Sequence, residues 1–179
     1  WNNNLGNIAF DSHQLIVYPE GWLDKSVFFD SITGVIKINR QPEKWIVDAK
    51  AFRLWNDDLT VQLDGSIERG NDGQIVNDLV IGLQEVNVQS WKSYVPQKIL
   101  DIDFKQWAND AFVAGKVIDG NVELVGDIAD FPYDNAPDKG RFIMSLDVEG
   151  MQLHYAPEWP DIVDVTAKIV SQGSKLVIK

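Results

Sequence analysis

The fold of this chain is decided by LTVQLDGSIE, residues 59–68. Apolar and polar side chains alternate throughout this stretch, with Leu59, Val61, Leu63 and Ile67 at every second position and Gly65 between them. A period of two is that of a β-strand, whose successive side chains point to opposite faces of a sheet. The stretch therefore predicts a strand with one apolar face and one face in water.

The same alternation continues on both sides of this strand. Strand patterns occupy residues 35–38 and 45–55 before it, and Gly70–Gly73 has the composition of a turn after it. Later stretches place further residues on an apolar face: Leu79, Ile81 and Leu83; Val122, Leu124 and Ile128; Phe142, Met144, Leu146 and Val148. A tight turn is predicted at 119–121, and the alternation changes parity across Gly150, which indicates a turn or a β-bulge. The chain is therefore predicted to be mainly β, with about nine or ten strands in an antiparallel, strongly twisted sheet.

One stretch departs from this period: WKSYVPQKILDIDFKQWANDAFVAG, residues 91–115. Its apolar residues fall at three- and four-residue steps, which places them on one side of a helix. They include Leu100, Phe104, Trp107 and Phe112. The spacing predicts one amphipathic helix near residues 99–114, which Gly115 ends.

Length and charge limit the class of protein. The 179 residues are predicted to form a single domain, 1–179, cut from a longer chain, because the sequence starts at Trp1 and ends within a strand pattern. A formal net charge of −11 argues against nucleic-acid binding and against docking on an anionic membrane surface. The absence of cysteine excludes disulfides, thiolate metal sites and cysteine nucleophiles. No apolar run reaches the roughly 20 residues that a membrane-spanning helix needs, so this piece is expected to be soluble.

A sheet with one apolar face needs something to cover that face, and one helix covers only a few strands. Two solutions remain open at this point. The sheet folds on itself as a sandwich or barrel, which base rates favour, or it curls into an open trough whose apolar wall holds an apolar ligand.

Residues that carry chemistry are sparse. His13 and His154 are the only histidines and lie far apart in sequence, which gives poor support to a catalytic triad or a histidine metal site. We predict no catalytic residue, no metal site and no cofactor, and a position on a strand surface for His154. The seven tryptophans leave a β-sandwich module that binds envelope glycan or protein as an alternative, and a hydrolase ranks third.

Several motifs in the second half of the chain occur in a fixed order. They are Tyr94-Val95-Pro96; the helix with Trp107, followed by Gly115 and Val117; Gly126-x-x-x-x-Phe131-Pro132-Tyr133; Gly140-x-Phe142; Leu153-x-Tyr155-x-Pro157-x-Trp159-Pro160-x-Ile162; and Gly173-x-x-Leu176. In this order and spacing, most of residues 45–179 resembles the AsmA-like envelope proteins of Gram-negative bacteria, most closely the YhdP group.

The resemblance implies a sheet curled into an open, U-shaped groove in the periplasmic part of a protein that is anchored in the inner membrane. It implies a non-enzymatic function, in which phospholipid acyl chains lie in the groove and phospholipids pass between the inner and outer membranes to support the outer-membrane barrier. The groove would be lined by the apolar residues of the strands: Leu59, Val61, Leu63, Ile67, Leu79, Ile81, Leu83, Val122, Leu124, Ile128, Phe142, Met144, Leu146 and Val148. Leu100, Phe104, Trp107 and Phe112 of the helix would form a lid or plug. The cut ends of the sheet make edge-to-edge self-association possible.

Overall fold

The computed structural model describes residues 4–18, 23, 25–95, 102–154, 156 and 158–179, and the side chains of all of these except 103, 104, 107 and 108. The strands are β1 (Leu5–Val17), β2 (Val27–Arg40), β3 (Lys44–Asn56), β4 (Leu59–Gly70), β5 (Ile75–Asn87), β6 (Phe112–Asp127), β7 (Gly140–Leu153), β8 (Ile162–Gln172) and β9 (Lys175–Ile178). In the described residues, one α-helix, α1 (Ile102–Ala111), and two 3-10 helices, Val88–Ser93 and Ile128–Asp130, lie between strands.

The nine strands form one antiparallel sheet in which each strand pairs with its neighbours in sequence, from β1 at one edge to β9 at the other. The sheet does not close on itself. The predicted mainly β fold with about nine or ten antiparallel strands in an open sheet is confirmed, and the sandwich or barrel that base rates favour is wrong. Local alternation specifies each strand but does not decide whether the two edges meet.

The helix ends earlier than predicted, because the backbone that follows Ala111 pairs with a strand instead. Phe112 stands opposite Leu153 in the β6–β7 ladder, so it belongs to β6 and not to the helix. Gly115 also lies within β6, at φ 125°, where an added Cβ would stand 2.7 Å from the Cα of Met151. This glycine therefore allows close approach of β7 and does not end the helix.

Two other details of the strand pattern need correction. Ile128 lies in the 3-10 helix Ile128–Asp130, because the side chain of Asp127 accepts a hydrogen bond from the Ala129 amide and caps this turn. The turn predicted at 119–121 is absent, since β6 continues through it and Gly120 contacts the side chain of Leu146. The parity change at Gly150 is a bulge within β7, where the register with β8 shifts between Val148 and Met151.

Buried apolar residues form two small clusters on one face of the sheet. One contains Val88, Val117, Val148 and Met151, and the other contains Val27, Phe29 and Ile32. Both lie at the same end of the strands, where β3 and β5 end and β4 and β6 begin. We call this the strap end, after the segment described below, and the opposite end, where β2, β4 and β6 finish, the loop end.

Candidate functional site

The register brings the predicted lining residues together on one face of the sheet. Directly paired residues share a face, and Leu63, Ile81, Val122 and Met144 occupy successive positions across β4–β7. The rows on either side are Val61, Leu83, Gly120, Leu146 and Gly65, Leu79, Leu124, Phe142. By the same register and alternation, Leu59, Ile67 and Val148 face this side, and Ile128 alone of the set lies outside the strands. We call this surface the apolar face.

The other face of the sheet is polar. Lys37, Asp48, Ser66 and Asp78 follow one another across β2–β5 in a single row. Asp64 lies on this face as well, and its carboxylate accepts a hydrogen bond from the Ala51 amide, which lowers its pKa. The two faces therefore differ in the way that the alternation predicts.

The central rows of the apolar face are only partly covered. Leu63, Ile81, Val122, Leu124 and Met144 are all half-buried. Within the described part of the chain, strand contacts join sequential neighbours, and the short helices pack mainly on β5 and β6. The interior of a sandwich would bury such residues fully, so this face is open where the structure describes it.

At the strap end, residues 88–95 cross the apolar face; we call them the strap. The ring of Trp91 packs edge-on against Phe112 of β6, with centroids 6.2 Å apart. At the other end of the strap, the ring of Tyr94 lies 6.4 Å from that of Phe29 on β2. The strap therefore spans from β6 to β2 and closes this end of the face.

Hydrogen bonds fix the strap to the turn between β3 and β4. Asn56 donates from Nδ2 to the hydroxyl of Tyr94 at 2.9 Å, and that hydroxyl donates to Asp58 Oδ2 at 3.0 Å. Ser90 donates to Asp58 Oδ1 at 2.7 Å. The pKa of Tyr94 is raised to about 12, chiefly because the phenol is partly buried and also because of the hydrogen bond to the Asp58 carboxylate and its negative charge, whereas the hydrogen bond from Asn56 opposes the shift.

At the loop end, residues 128–139 fold over part of the apolar face; we call them the loop. The Tyr133 ring covers the surfaces of Gly126 and Gly140, which have no side chains to obstruct it, and the residue is only 3% exposed. Burial raises the pKa of this phenol, and Asp127 and Asp130 raise it further. Phe131 packs on Phe142 with centroids 5.2 Å apart. The loop therefore covers the ends of β6 and β7.

The structure describes only part of the predicted lid. Leu100 lies outside the described residues, as do the side chains of Phe104 and Trp107. Phe112 is a strand residue that supports the strap. Within α1, Ala111 is fully buried and Ile102 is 68% exposed. A lid or plug formed by the helix stays a prediction.

Among the described residues, His154 lies beside an aspartate and the acidic side chains form no cluster suited to a metal ion. His154 follows β7, is half-buried, and its Nδ1 lies 2.8 Å from Asp161 Oδ1, which lowers the pKa of that carboxyl. In the residues that the structure describes, no group of three His, Cys, Asp or Glu side chains is arranged to hold a metal ion. In the same residues no helix has the length and apolar character needed to cross a membrane.

The exposed tryptophans of β3 point to opposite faces. Trp45 pairs with Arg40 and Arg69 on the apolar side, whereas Trp55 pairs with Ser31 and Thr60 on the polar side. The row of aromatic faces that the glycan-binding alternative needs is therefore not formed by these two residues.

Sequence reasoning missed the roles of two tyrosines. Tyr94 and Tyr133 appear in the sequence motifs quoted above, but the alternation of polar and apolar residues gives no sign that their rings cover the two ends of the sheet. The sequence signal that could have identified them is a tyrosine directly outside a strand pattern. Its ring is suited to cover the edge of an apolar face, because it is apolar except for one hydroxyl.

The comparisons with known proteins give one positive result. No curated protein and no solved structure matches the chain significantly. The family model described as YhdP protein matches residues 1–179, the whole of the sequence. The chain therefore belongs to the YhdP protein family.

Proposed function

We propose that this chain is a segment of a periplasmic, inner-membrane-anchored protein whose apolar groove carries phospholipids between the inner and outer membranes and so supports the outer-membrane barrier. The protein acts without catalysis. The observation that carries the proposal is the apolar face, which is continuous across β4–β7 and largely half-exposed along its central rows. Membership of the YhdP family supports it.

The direction of the proposed path follows from what covers the two strand ends. The strap crosses one end and the loop covers part of the other, whereas the rows of apolar residues run from strand to strand. Acyl chains would therefore lie across the strands. One register row runs from β2 to β9 through Ile32, Leu54, Val61, Leu83, Gly120, Leu146, Ile169 and Ile178. Its seven strand intervals of about 4.8 Å make roughly 34 Å, compared with about 15 Å for the acyl layer of one leaflet. One row is long enough for the tails of more than one lipid.

The energetic basis is the transfer of methylenes from water onto this face. Each methylene contributes about 0.8 kcal/mol when it is buried, so a few rows in contact with two tails suffice to hold a lipid. A carboxylate placed among these rows would lose hydration when a tail covers it, and this cost opposes binding.

Two adjacent positions on β5 test the proposal. Ile81 faces the apolar side, and Val80, 46% exposed, faces the polar side, so Ile81→Asp and Val80→Asp make the same chemical change on opposite faces. The purified chain and both variants are incubated with phospholipid vesicles, separated from them, and analysed for bound lipid by native mass spectrometry. We expect Ile81→Asp to retain at least about tenfold less lipid than the parent chain and Val80→Asp to retain as much.

The proposal is refuted if the unmodified chain retains no phospholipid, or if both variants retain the same amount as it does. Circular dichroism and thermal unfolding of each variant establish that the sheet is intact before lipid is measured.

A further inference from the structure

One corner of the apolar face is covered neither by the strap nor by the loop in the described residues. It lies at the loop end of β2, β3 and β4. Arg40, Trp45 and Arg69 occupy successive register positions there, which places all three on the apolar side of the sheet. The next row inward consists of Ile38, Val47 and Ile67. Two cationic side chains therefore border the apolar rows.

These arginines are available to a ligand. Both are exposed, and Trp45 between them is 42% exposed. The guanidinium carbon of Arg40 lies 5.0 Å from the centroid of the Trp45 ring. Among the described residues, no carboxylate lies within 4.0 Å of either guanidinium.

Among the described residues, the two arginines have no carboxylate partner, although the chain carries a formal net charge of −11. Glu68, which precedes Arg69 in sequence, points to the polar face and is paired with Lys44 at 2.6 Å. The two guanidiniums therefore form a local positive charge on a negative molecule, at the rim of an apolar surface.

From this arrangement we propose that Arg40 and Arg69, on either side of Trp45, bind the phosphate of a diacyl phospholipid whose acyl chains lie on the adjacent apolar rows. The inference rests on the proposed function and adds to it a headgroup site. A guanidinium presents a planar fork of N–H donors that matches phosphate oxygens. Arg40 and Arg69 have one strand between them, so their backbones are two strand intervals, or about 10 Å, apart. An indole between them suits the boundary of polar and apolar regions.

The test compares two lipids that differ only at the headgroup. Vesicles of phosphatidylcholine are prepared with either phosphatidylglycerol or diacylglycerol that carries the same fluorescent acyl chain, and the label extracted by the full chain is measured after the vesicles are removed. The test variant is R40Q/R69Q. Arg53→Gln, which removes one positive charge, is the control for the single variants R40Q and R69Q, because Arg53 is exposed on β3 and stands opposite Thr33 and Gln62 on the polar face.

We expect R40Q/R69Q to extract about tenfold less phosphatidylglycerol than the parent chain, since each lost charge-assisted contact at an exposed rim is modest by itself. Extraction of diacylglycerol stays unchanged, and Arg53→Gln changes neither. R40K/R69K, which keeps the charges, recovers most of the lost extraction. Because both arginines are exposed, the variants are expected to fold, and the single variants R40Q and R69Q serve if the double variant does not.

Four results would overturn the headgroup site. R40Q/R69Q extracts phosphatidylglycerol as well as the parent chain does; Arg53→Gln causes as great a loss as R40Q or R69Q does, which indicates a general effect of net charge; extraction of diacylglycerol falls in parallel; or glycerol phosphate without acyl chains competes as strongly as the lipid, which indicates a site for free phosphate. If the parent chain extracts both lipids and the variants do so equally, only this inference fails. If the parent chain extracts neither, the proposed function fails with it.

Discussion

The hydroxyl of Tyr94 offers the most direct test of how the strap is held. Tyr94→Phe removes one oxygen and keeps the ring that packs near Phe29. The change deletes the hydrogen bond from Asn56, at 2.9 Å, and the one to Asp58, at 3.0 Å. A neutral hydrogen bond contributes about 1 kcal/mol and one to a charged acceptor somewhat more, so with partial exposure we expect a loss of about 2 kcal/mol in the free energy of unfolding. For a domain of this size that lowers Tm by about 4–8 °C.

The pH dependence gives an independent signature of the same group. The pKa of Tyr94 is about 12 in the folded chain against 10.0 for a free phenol. A raised pKa means that the folded state holds its proton more tightly, so the stabilisation is present below pH 10 and is lost as the pH rises to 12. Two pKa units would correspond to about 2.7 kcal/mol, but solvent reaches this phenol and we expect about 1 kcal/mol. Tyr94→Phe should lack this loss.

Urea unfolding, followed by tryptophan fluorescence at pH 8 and at several values between 10 and 12, measures both effects. Tyr18→Phe is the control, because that residue is 74% exposed and its loss of a hydroxyl is expected to change the free energy by less than about 0.5 kcal/mol. The reasoning is refuted if Tyr94→Phe has the same urea midpoint as the parent chain, or if both proteins lose stability equally above pH 10.

Two further predictions concern the loop end and His154, which follows β7. Gly140→Ala should lower the free energy of unfolding by about 1–3 kcal/mol, because its Cβ would clash with the backbone carbonyl oxygen of Val125 and stand 2.6 Å from the ring of Tyr133. Gly82→Ala meets its nearest atom at 3.8 Å and should have little effect. Thermal unfolding of both variants checks this, and equal Tm values would contradict it. The Asp161 carboxyl should titrate below its usual pKa, because it is hydrogen-bonded by His154, so the stabilisation that it gives is present above its ordinary pKa and is lost only as the pH falls through the lowered one. NMR titration of the carboxyl measures this, and His154→Gln should move the pKa back upward; no movement would show that another group is the cause.

The strands and the face of each residue were predictable because they depend on a local property. A strand between an apolar and an aqueous side must alternate, so the positions of Leu63, Ile81, Val122 and Met144 in sequence already determine that they face one side. The face of each residue could therefore be assigned without knowing which strand lies next to it. The antiparallel register in the structure then joins these residues into a row.

The errors arise where a distant part of the chain decides the conformation. Phe112 continues the helical spacing of the residues before it, yet its backbone pairs with Leu153, which is far away in sequence. Ile128 continues the alternation of β6, yet the Asp127 side chain ends the strand by capping a turn. Both cases show a local pattern overridden by a hydrogen bond that the pattern does not contain.

The sequence predicts which residues form the apolar face of the candidate site, but it does not predict the strap and the loop that cover the two ends of this face. Those segments reach the face through contacts between elements. Tyr94 lies beyond β5 and packs on β2, three strands away in the sheet. The proximity of Arg40 and Arg69 likewise becomes apparent only from the register, which places both arginines on the apolar side at the loop end of β2 and β4.

The buried residues and most of the half-buried residues of the apolar face lie in different parts of the sheet. Most of the buried apolar residues lie in the two clusters at the strap end, with Leu59 and Ala111 beside them, and Tyr133 is buried at the loop end. In the central rows Leu79 is buried, at 8% exposed, and the other apolar side chains are half-buried, so part of the apolar area that a closed fold would remove from water is still exposed there. A ligand that covers these rows binds the folded chain and not the unfolded one, and it must therefore raise the free energy of unfolding, by about 2.7 kcal/mol at a free concentration of 100 times its Kd.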